Sequence, residues 1–168
     1  MRSARLTNGR QIWIRPIAAA DAWRLQRALQ VMSAQTIQRR FLSMRHRFTD
    51  AELRHLTEVD GVNHIALVAM DVATGELAAV ARCVRDTEDP ALAEWAIVVG
   101  DPYQGHGLGT ILARDLVDAA RARGIERFSA IMDGENRAVM RLLAHITDHF
   151  ERDTYDHGVR EVVVSLAA

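Results

Sequence analysis

The stretch Glu94-Trp95-Ala96-Ile97-Val98-Val99-Gly100-Asp101-Pro102-Tyr103-Gln104-Gly105-His106-Gly107-Leu108-Gly109-Thr110 decides how this chain is read. Leu92 to Val99 has the length of a strand and is apolar on both faces near its end, as a central strand requires. A glycine-rich segment, Gly100 to Gly109, follows. It passes into a helical pattern from Thr110 to Arg123, with Leu108, Leu112, Leu116 and Ala119 or Ala120 on the apolar stripe and Gly124 as the stop. A helix N-terminus has about half a positive charge and several unpaired N–H groups. Glycines let an anion approach that backbone without interference from a Cβ. The segment therefore predicts a turn that seats a phosphate or pyrophosphate.

Two phosphate-binding motifs are excluded by spacing. A P-loop needs Gly-x-x-x-x-Gly-Lys-Ser/Thr. Gly100 and Gly105 have the first spacing, but His106 and Gly107 stand where Lys and Ser/Thr belong. All 21 basic residues are arginine, so no lysine is available for such a loop or for modification. A dinucleotide fingerprint needs Gly-x-Gly-x-x-Gly at the first strand of a parallel unit. Here Gly105, Gly107 and Gly109 are spaced two and two, and they follow a hairpin.

Outward from this stretch the period changes. Upstream, Ile65 to Met70 and Leu77 to Val84 read as two strands joined by the turn Ala73-Thr74-Gly75-Glu76. Before them come a short strand, Gln11 to Arg15, and three helices. These are Ala22 to Met32, a second capped by Ser33 and running through Phe41, and a third opened by the capping box Thr49-x-x-Glu52 and reaching about Val59. Downstream, Arg127 to Met132 is a strand and Glu135 to Ala144 a helix. Two weaker strands between Phe150 and Leu166 flank the turn Asp156-His157-Gly158. On the wet side of the long helix, Arg114 and Asp118 are spaced as an i,i+4 pair. The order predicts a mixed-sheet α/β (α+β) single domain over residues 1–168.

Composition bounds the rest. The chain has 168 residues, 49% apolar and 26% charged, so it can bury a core without a metal or disulfide staple. Its single cysteine, Cys83, excludes an internal disulfide and is expected to be a buried apolar residue. A net charge of -1 gives no global reason for nucleic acid or an anionic membrane as partner. No apolar run reaches the about 18 residues of a spanning helix, and the N-terminus lacks the apolar stretch of a secretory signal. A cytoplasmic monomer or homodimer is expected.

The pattern that remains is Gln-x-x-Gly-x-Gly, matched by Gln104, Gly107 and Gly109. In its context of hairpin, third strand, loop, amphipathic helix, strand and the helix opened by Glu135-Asn136-Arg137-Ala138, it resembles the acetyl-CoA loop of the GNAT superfamily of N-acetyltransferases. Ile14-Arg15-Pro16-Ile17, Arg39-Arg40-Phe41-Leu42-Ser43, Ala66-Leu67-Val68-Ala69 and Ala93-Glu94-Trp95-Ala96-Ile97-Val98-Val99 look like the GNAT domain of Pat-type protein lysine acetyltransferases. Those domains are usually fused to a regulatory module, and none is expected within these 168 residues.

The resemblance implies acetyl-CoA as co-substrate, no metal, and a primary amine as acceptor, most of all a protein lysine. A small-molecule amine acetyltransferase and a catalytically silent acyl-CoA sensor are the alternatives. It implies that the backbone of Ala96, Ile97, Val98 and Val99 pairs with the pantetheine arm. It further implies that Gln104, Gly105, His106, Gly107, Leu108, Gly109 and Thr110 hold the pyrophosphate, and that Asn136 contacts the cofactor or caps its helix. Glu94 lies within an otherwise apolar strand, where a carboxylate is costly unless it is used or paired, for instance with Arg82. By resemblance Glu94 is the general base. That task is needed because a free lysine amine, with pKa about 10.4, costs about 4.6 kcal/mol to deprotonate at pH 7.

The tyrosine that many GNAT enzymes carry seven residues after this asparagine is replaced by Leu143. His145 and His149 have metal-ligand spacing without an evident third ligand. Arg39, Arg40, Arg45 and Arg47 form a basic run that suits a solvated face, the 3′-phosphate of CoA or an acidic acceptor.

Overall fold

The computed structural model describes residues 1–166. Its strands are β1 (Arg2–Arg5), β2 (Gln11–Pro16), β3 (His64–Asp71), β4 (Leu77–Arg85), β5 (Leu92–Val99), β6 (Arg127–Asp133), β7 (Phe150–Asp156) and β8 (Val159–Ser165). Its helices are α1 (Ala22–Val31), α2 (Ala34–Phe41), α3 (Asp50–Thr57), α4 (Leu108–Arg121) and α5 (Arg137–Leu143). They form one eight-stranded sheet in the order β1-β2-β3-β4-β5-β6-β8-β7. Every neighbouring pair is antiparallel except β5 with β6. Among the described residues no helix is long and apolar enough to cross a membrane.

The sheet separates two cores. On one face α4 and α5 bury Leu108, Leu112, Leu116 and Leu143 against Ala81, Trp95 and Phe128. On the other, α1 to α3 bury Leu25, Leu29, Ile37 and Phe48 against Val68 and Val80. Period-two alternation sends odd residues of β5 to the first core and even ones to the other face, where Val98 packs on the second. Trp95 stacks on Phe128 with centroids 6.4 Å apart. Trp13 and Trp23 are exposed and belong to neither core.

Local chemistry sets the boundaries. The Ser33 hydroxyl accepts from Thr36 N–H at 3.2 Å, and Thr49 and Glu52 cap each other reciprocally. His157 and Gly158, both at positive φ, turn β7 into β8 as a tight hairpin demands. β1 departs from the sequence reading, which contains no strand before Gln11. It pairs with β2, Arg2 opposite Ile14, around Asn8-Gly9. The predicted Arg114–Asp118 pair does not form among the described residues; Asp115 instead meets Arg2 at 3.3 Å. The first residue of β1 thereby ties the sheet edge to α4.

The β2–α1 corner is fixed by a buried ion pair. Asp21, 1% exposed, accepts both guanidinium nitrogens of Arg15 at 2.7 Å and the Ala18 N–H at 3.0 Å. Burial alone would raise its carboxyl; the Arg15 and Ala18 bonds outweigh this and hold it below its ordinary value. Removing the charge leaves a desolvated guanidinium without its anion. Asp21→Asn is expected to destabilise the fold by about 3 kcal/mol, read as a lower urea midpoint at unchanged slope. A loss below about 1 kcal/mol contradicts this role.

Candidate active site

β5 and β6 pair only at Leu92–Arg127, Ala93–Phe128 and Glu94–Ser129, and then diverge. The remaining edge of β5 lies open. Gly100 N–H bonds Ala78 O of β4 at 2.9 Å, whereas Val99 O accepts from the Gln104 side chain at 2.9 Å on the opposite side. Along an uninterrupted register the backbone groups alternate, so Ile97 and Val99 direct theirs into the gap.

A cleft of about 550 Å³ occupies that gap. Ile97, Val98 and Val99 line one side, and Gln104, Gly105, Gly107, Leu108, Gly109 and Thr110 close one end. Asn136 and the exposed face of α5 close the other. The loop is held open by its glycines: Gly105 has φ +74° and Gly107 φ +85°, left-handed values that side chains resist. Gly109 differs. A Cβ there would lie 3.6 Å from Leu142 and Val99, an ordinary contact, so packing within the protein does not require glycine. The opposite wall is α2, fastened to the end of β5 by Asp101. That carboxylate accepts from Ser33 N–H and Oγ, both at 2.8 Å, and from Thr36 Oγ1 at 2.7 Å.

Ten of the twelve predicted cofactor residues thus line one cleft. Two do not. Ala96 faces the helical side with Arg82 and lines a smaller cavity there. His106 is not among the lining residues, and its carbonyl accepts from Thr7 N–H at 3.3 Å. Asn136 is 5% exposed, and its side-chain oxygen accepts from Val139 N–H at 3.3 Å, so the capping role is present. Leu143 is fully buried in the core and is not among the residues that line the cleft.

Glu94 requires a correction. Its surroundings are not desolvating: the residue is exposed, on the face opposite buried Ala93 and Trp95 and across from exposed Val84. Nor does it pair with Arg82, which sits opposite Ala96. The guanidinium that feels the Glu94 charge is Arg40 of α2. An apolar run conceals this, because both faces of β5 read alike while only one is covered at position 94.

The basic run divides. Arg45 is bound to Glu52 at 2.6 Å and lies over the Phe41 and Phe48 rings. Arg39 and Arg40 line the cleft with Thr36. Burial pushes Arg40 down, Glu94 opposes this and Arg45 adds to it. Tyr103, Arg141 and His145 also line the cleft and were not anticipated. Tyr103 is placed by its bond to buried Asp71 at 3.2 Å, and Arg10 reaches the same carboxylate at 2.9 Å. Spacing along the chain cannot show these approaches. Among the described residues no group of three or more His, Cys, Asp or Glu is placed to hold a metal ion. Cys83 is buried, and burial pushes its thiol up to about 12, which removes it as a nucleophile.

Comparison with known proteins agrees with this architecture. Residues 30–146 match the model of the acetyltransferase (GNAT) family, and the chain belongs to that family. It is 34% identical over 156 residues to the acetyltransferase Pat of Mycolicibacterium smegmatis, covering 93% of this chain and 46% of that protein. The chain therefore spans about half the length of that relative. The GNAT domain of S. lividans PAT superposes with a TM-score of 0.87 at 27% identity, covering 98% of this chain and 96% of that one. A GNAT phosphinothricin acetyltransferase of Sinorhizobium meliloti, solved in complex with AcCoA, shares the fold at a TM-score of 0.70 and 18% identity, covering 92% and 86%.

On the helical side of β5, the His64 ring lies 5.2 Å from that of His55, tilted at 45°, and meets Arg82 Nη1 at 3.2 Å. Burial, then the charges of Arg82 and His55, hold it at about 4. The folded state thus favours neutral His64 while the unfolded chain protonates near pH 6.5. Its stabilising contribution is complete above about pH 6.5 and disappears as pH falls to about 4. Tm is expected to fall across that window, and His64→Gln to flatten the fall; an unchanged slope in the variant contradicts the assignment.

Proposed function

We propose that this chain transfers an acetyl group from acetyl-CoA to a primary amine, a protein lysine above all. The observation that carries the reading is the open backbone edge of Ile97–Val99 running into a glycine-lined helix N-terminus within one cleft. Unpaired backbone groups need partners, and a pantetheine arm offers amides at a strand's spacing. The positive end of α4 suits the diphosphate. The residues present therefore fit the group. That Gly109 is not demanded by packing supports close approach of a ligand there. The relatives named for acetyl transfer support the donor, and the two Pat proteins support a protein acceptor.

Acetyl-CoA, when bound, supplies an activated acetyl thioester. Glu94, exposed on β5 just before the strands diverge, takes the proton from the attacking amine, directly or through water. A β5 backbone N–H, from Ile97 or Val99, polarises the carbonyl oxygen. A leaving thiolate has pKa about 8.5 and needs no protein acid, consistent with buried Leu143 in place of tyrosine. The chain has no lysine of its own, so self-acetylation of side chains cannot compete with the acceptor.

Glu94→Gln is expected to lower kcat/KM for a lysine peptide by about 10²–10³-fold, read as released thiol, with acetyl-CoA affinity retained. An unchanged kcat/KM across pH removes Glu94 from the chemistry. Gly109→Ala separates fold from function. It is expected to raise stability by up to about 1 kcal/mol while weakening acetyl-CoA binding about ten-fold or more in calorimetry. Undiminished affinity would place the diphosphate elsewhere.

A further inference from the structure

A second cavity, about 40 Å³, lies on the helical side of β5. Its walls are apolar, Leu25, Leu29, Phe48 and Val98 among them, but two guanidiniums also line it, Arg40 and Arg82. Arg82 is 7% exposed. Its Nη1 donates to Leu56 O at 3.2 Å and meets His64 Nε2 at the same distance. Both partners are uncharged at neutral pH, because His64 is held at about 4. Burial, then the like charge of Arg40, pushes Arg82 down to about 10.

Such an arrangement is incomplete. A guanidinium has five donors and is rarely buried without an anion. Elsewhere in this chain that rule is kept: Arg15 has Asp21 and Arg45 has Glu52. Among the described residues no carboxylate acts on Arg82, and Glu94 is the one carboxylate drawing on Arg40 besides serving the amine in the reading above. Arg82 is thus without an anion, and the one whose charge reaches Arg40 is already engaged.

We propose that the acceptor carries a carboxylate, which sits against Arg40 and Arg82 while its amine lies at Glu94. Arg40 lines both the large cleft and the small cavity, so an anion entering from the cleft meets it first. The cavity has room for about three waters, or one carboxylate. Arg82 lies opposite Ala96, two residues along β5 from Glu94 on the same face, a separation of about 7 Å at the rise of a strand. Six bonds link the amine of lysine to its own carboxyl carbon, about 7–8 Å when extended. The amine and carboxylate of one lysine therefore span the two positions, as do a lysine and an acidic neighbour. This inference rests on the acetyltransferase reading and specifies its acceptor.

Nα-acetyl-lysine and Nα-acetyl-lysine amide share one ε-amine and differ by one carboxylate. At saturating acetyl-CoA the protein is expected to favour the acid in kcat/KM by about ten-fold or more. Arg82→Met and Arg40→Met fill the same space without charge, and the ratio is expected to fall within about two-fold in either. The ratio is independent of any general loss of activity, and each variant serves if the other does not fold. A wild-type ratio near one both here and in the peptide pair that follows, or a preference surviving in both variants, overturns the proposal. A second pair, peptides with Glu or Gln beside the lysine, identifies the source: a Glu preference assigns the carboxylate to the flanking residue, a preference confined to acetyl-lysine to a free carboxyl group, and either supports the site. If no amine is acetylated, the transferase reading fails and calorimetry with CoA present decides the anion site alone. About ten-fold tighter binding of the acid than of the amide then supports it, and equal or no binding at millimolar concentration overturns it.

Discussion

Everything at the site depends on where β5 and β6 stop pairing. A parallel pair ordinarily continues until one strand ends; here it lasts three residues, and both strands run on without each other. The cost is an edge of unpaired backbone in the middle of an eight-stranded sheet. The rest of the chain is arranged to keep that edge open. α4 and α5 pack on one side of it, and α2 is held on the other by the three bonds that Asp101 accepts. Gln104 satisfies the Val99 carbonyl and, at 3.2 Å, Thr36 Oγ1, so one side chain joins the loop, the strand and the helical wall. A strand gap and a helix N-terminus are each weak as binding features. Together they offer extended backbone for an extended ligand and a positive end for its anionic terminus.

Charge is distributed with the same division. Arginines at the sheet edges and corners are neutralised by nearby carboxylates, Arg15 with Asp21, Arg10 with Asp71 and Arg160 with Asp153. These pairs fix loops and turns. Among the described residues Arg39, Arg40 and Arg82, which border the cleft and the cavity beneath it, form no ion pair with a carboxylate. Guanidiniums free of such a pair therefore border the place where substrates enter, in a chain whose net charge is only -1. An anionic group lowers the free energy of such a site more than it would on an evenly balanced surface.

Much of the fold was legible from the sequence because its signals are local. Ser33, Thr49 and Glu52 announce helix starts through bonds spanning three residues, and the bounds Leu92–Val99 follow from an apolar run ended by glycine. β1 escaped because Arg2 to Arg5 form an exposed edge and carry no apolar alternation; Asn8-Gly9, a hairpin turn dipeptide, was the available sign. The glycine loop was legible for the same local reason. The α2 wall, Tyr103 and the Arg40–Arg82 cavity were not, since they depend on contacts between residues far apart in sequence, 32 for Tyr103–Asp71 and 68 for Ser33–Asp101. The environment of Glu94 was misread for a related reason: sequence shows the neighbours along a strand, not whether a helix covers the face on which a side chain stands.

The most direct examination of the gap is amide hydrogen exchange with and without saturating acetyl-CoA. If β5 receives an extended arm and α4 its diphosphate, the amides of Ile97 and Val99 and those from Gly105 to Thr110 become protected together, while β7 and β8 exchange as before. Protection confined to another surface, or unchanged exchange at Ile97, Val99 and the loop at full saturation, would contradict the placement of the donor in this cleft.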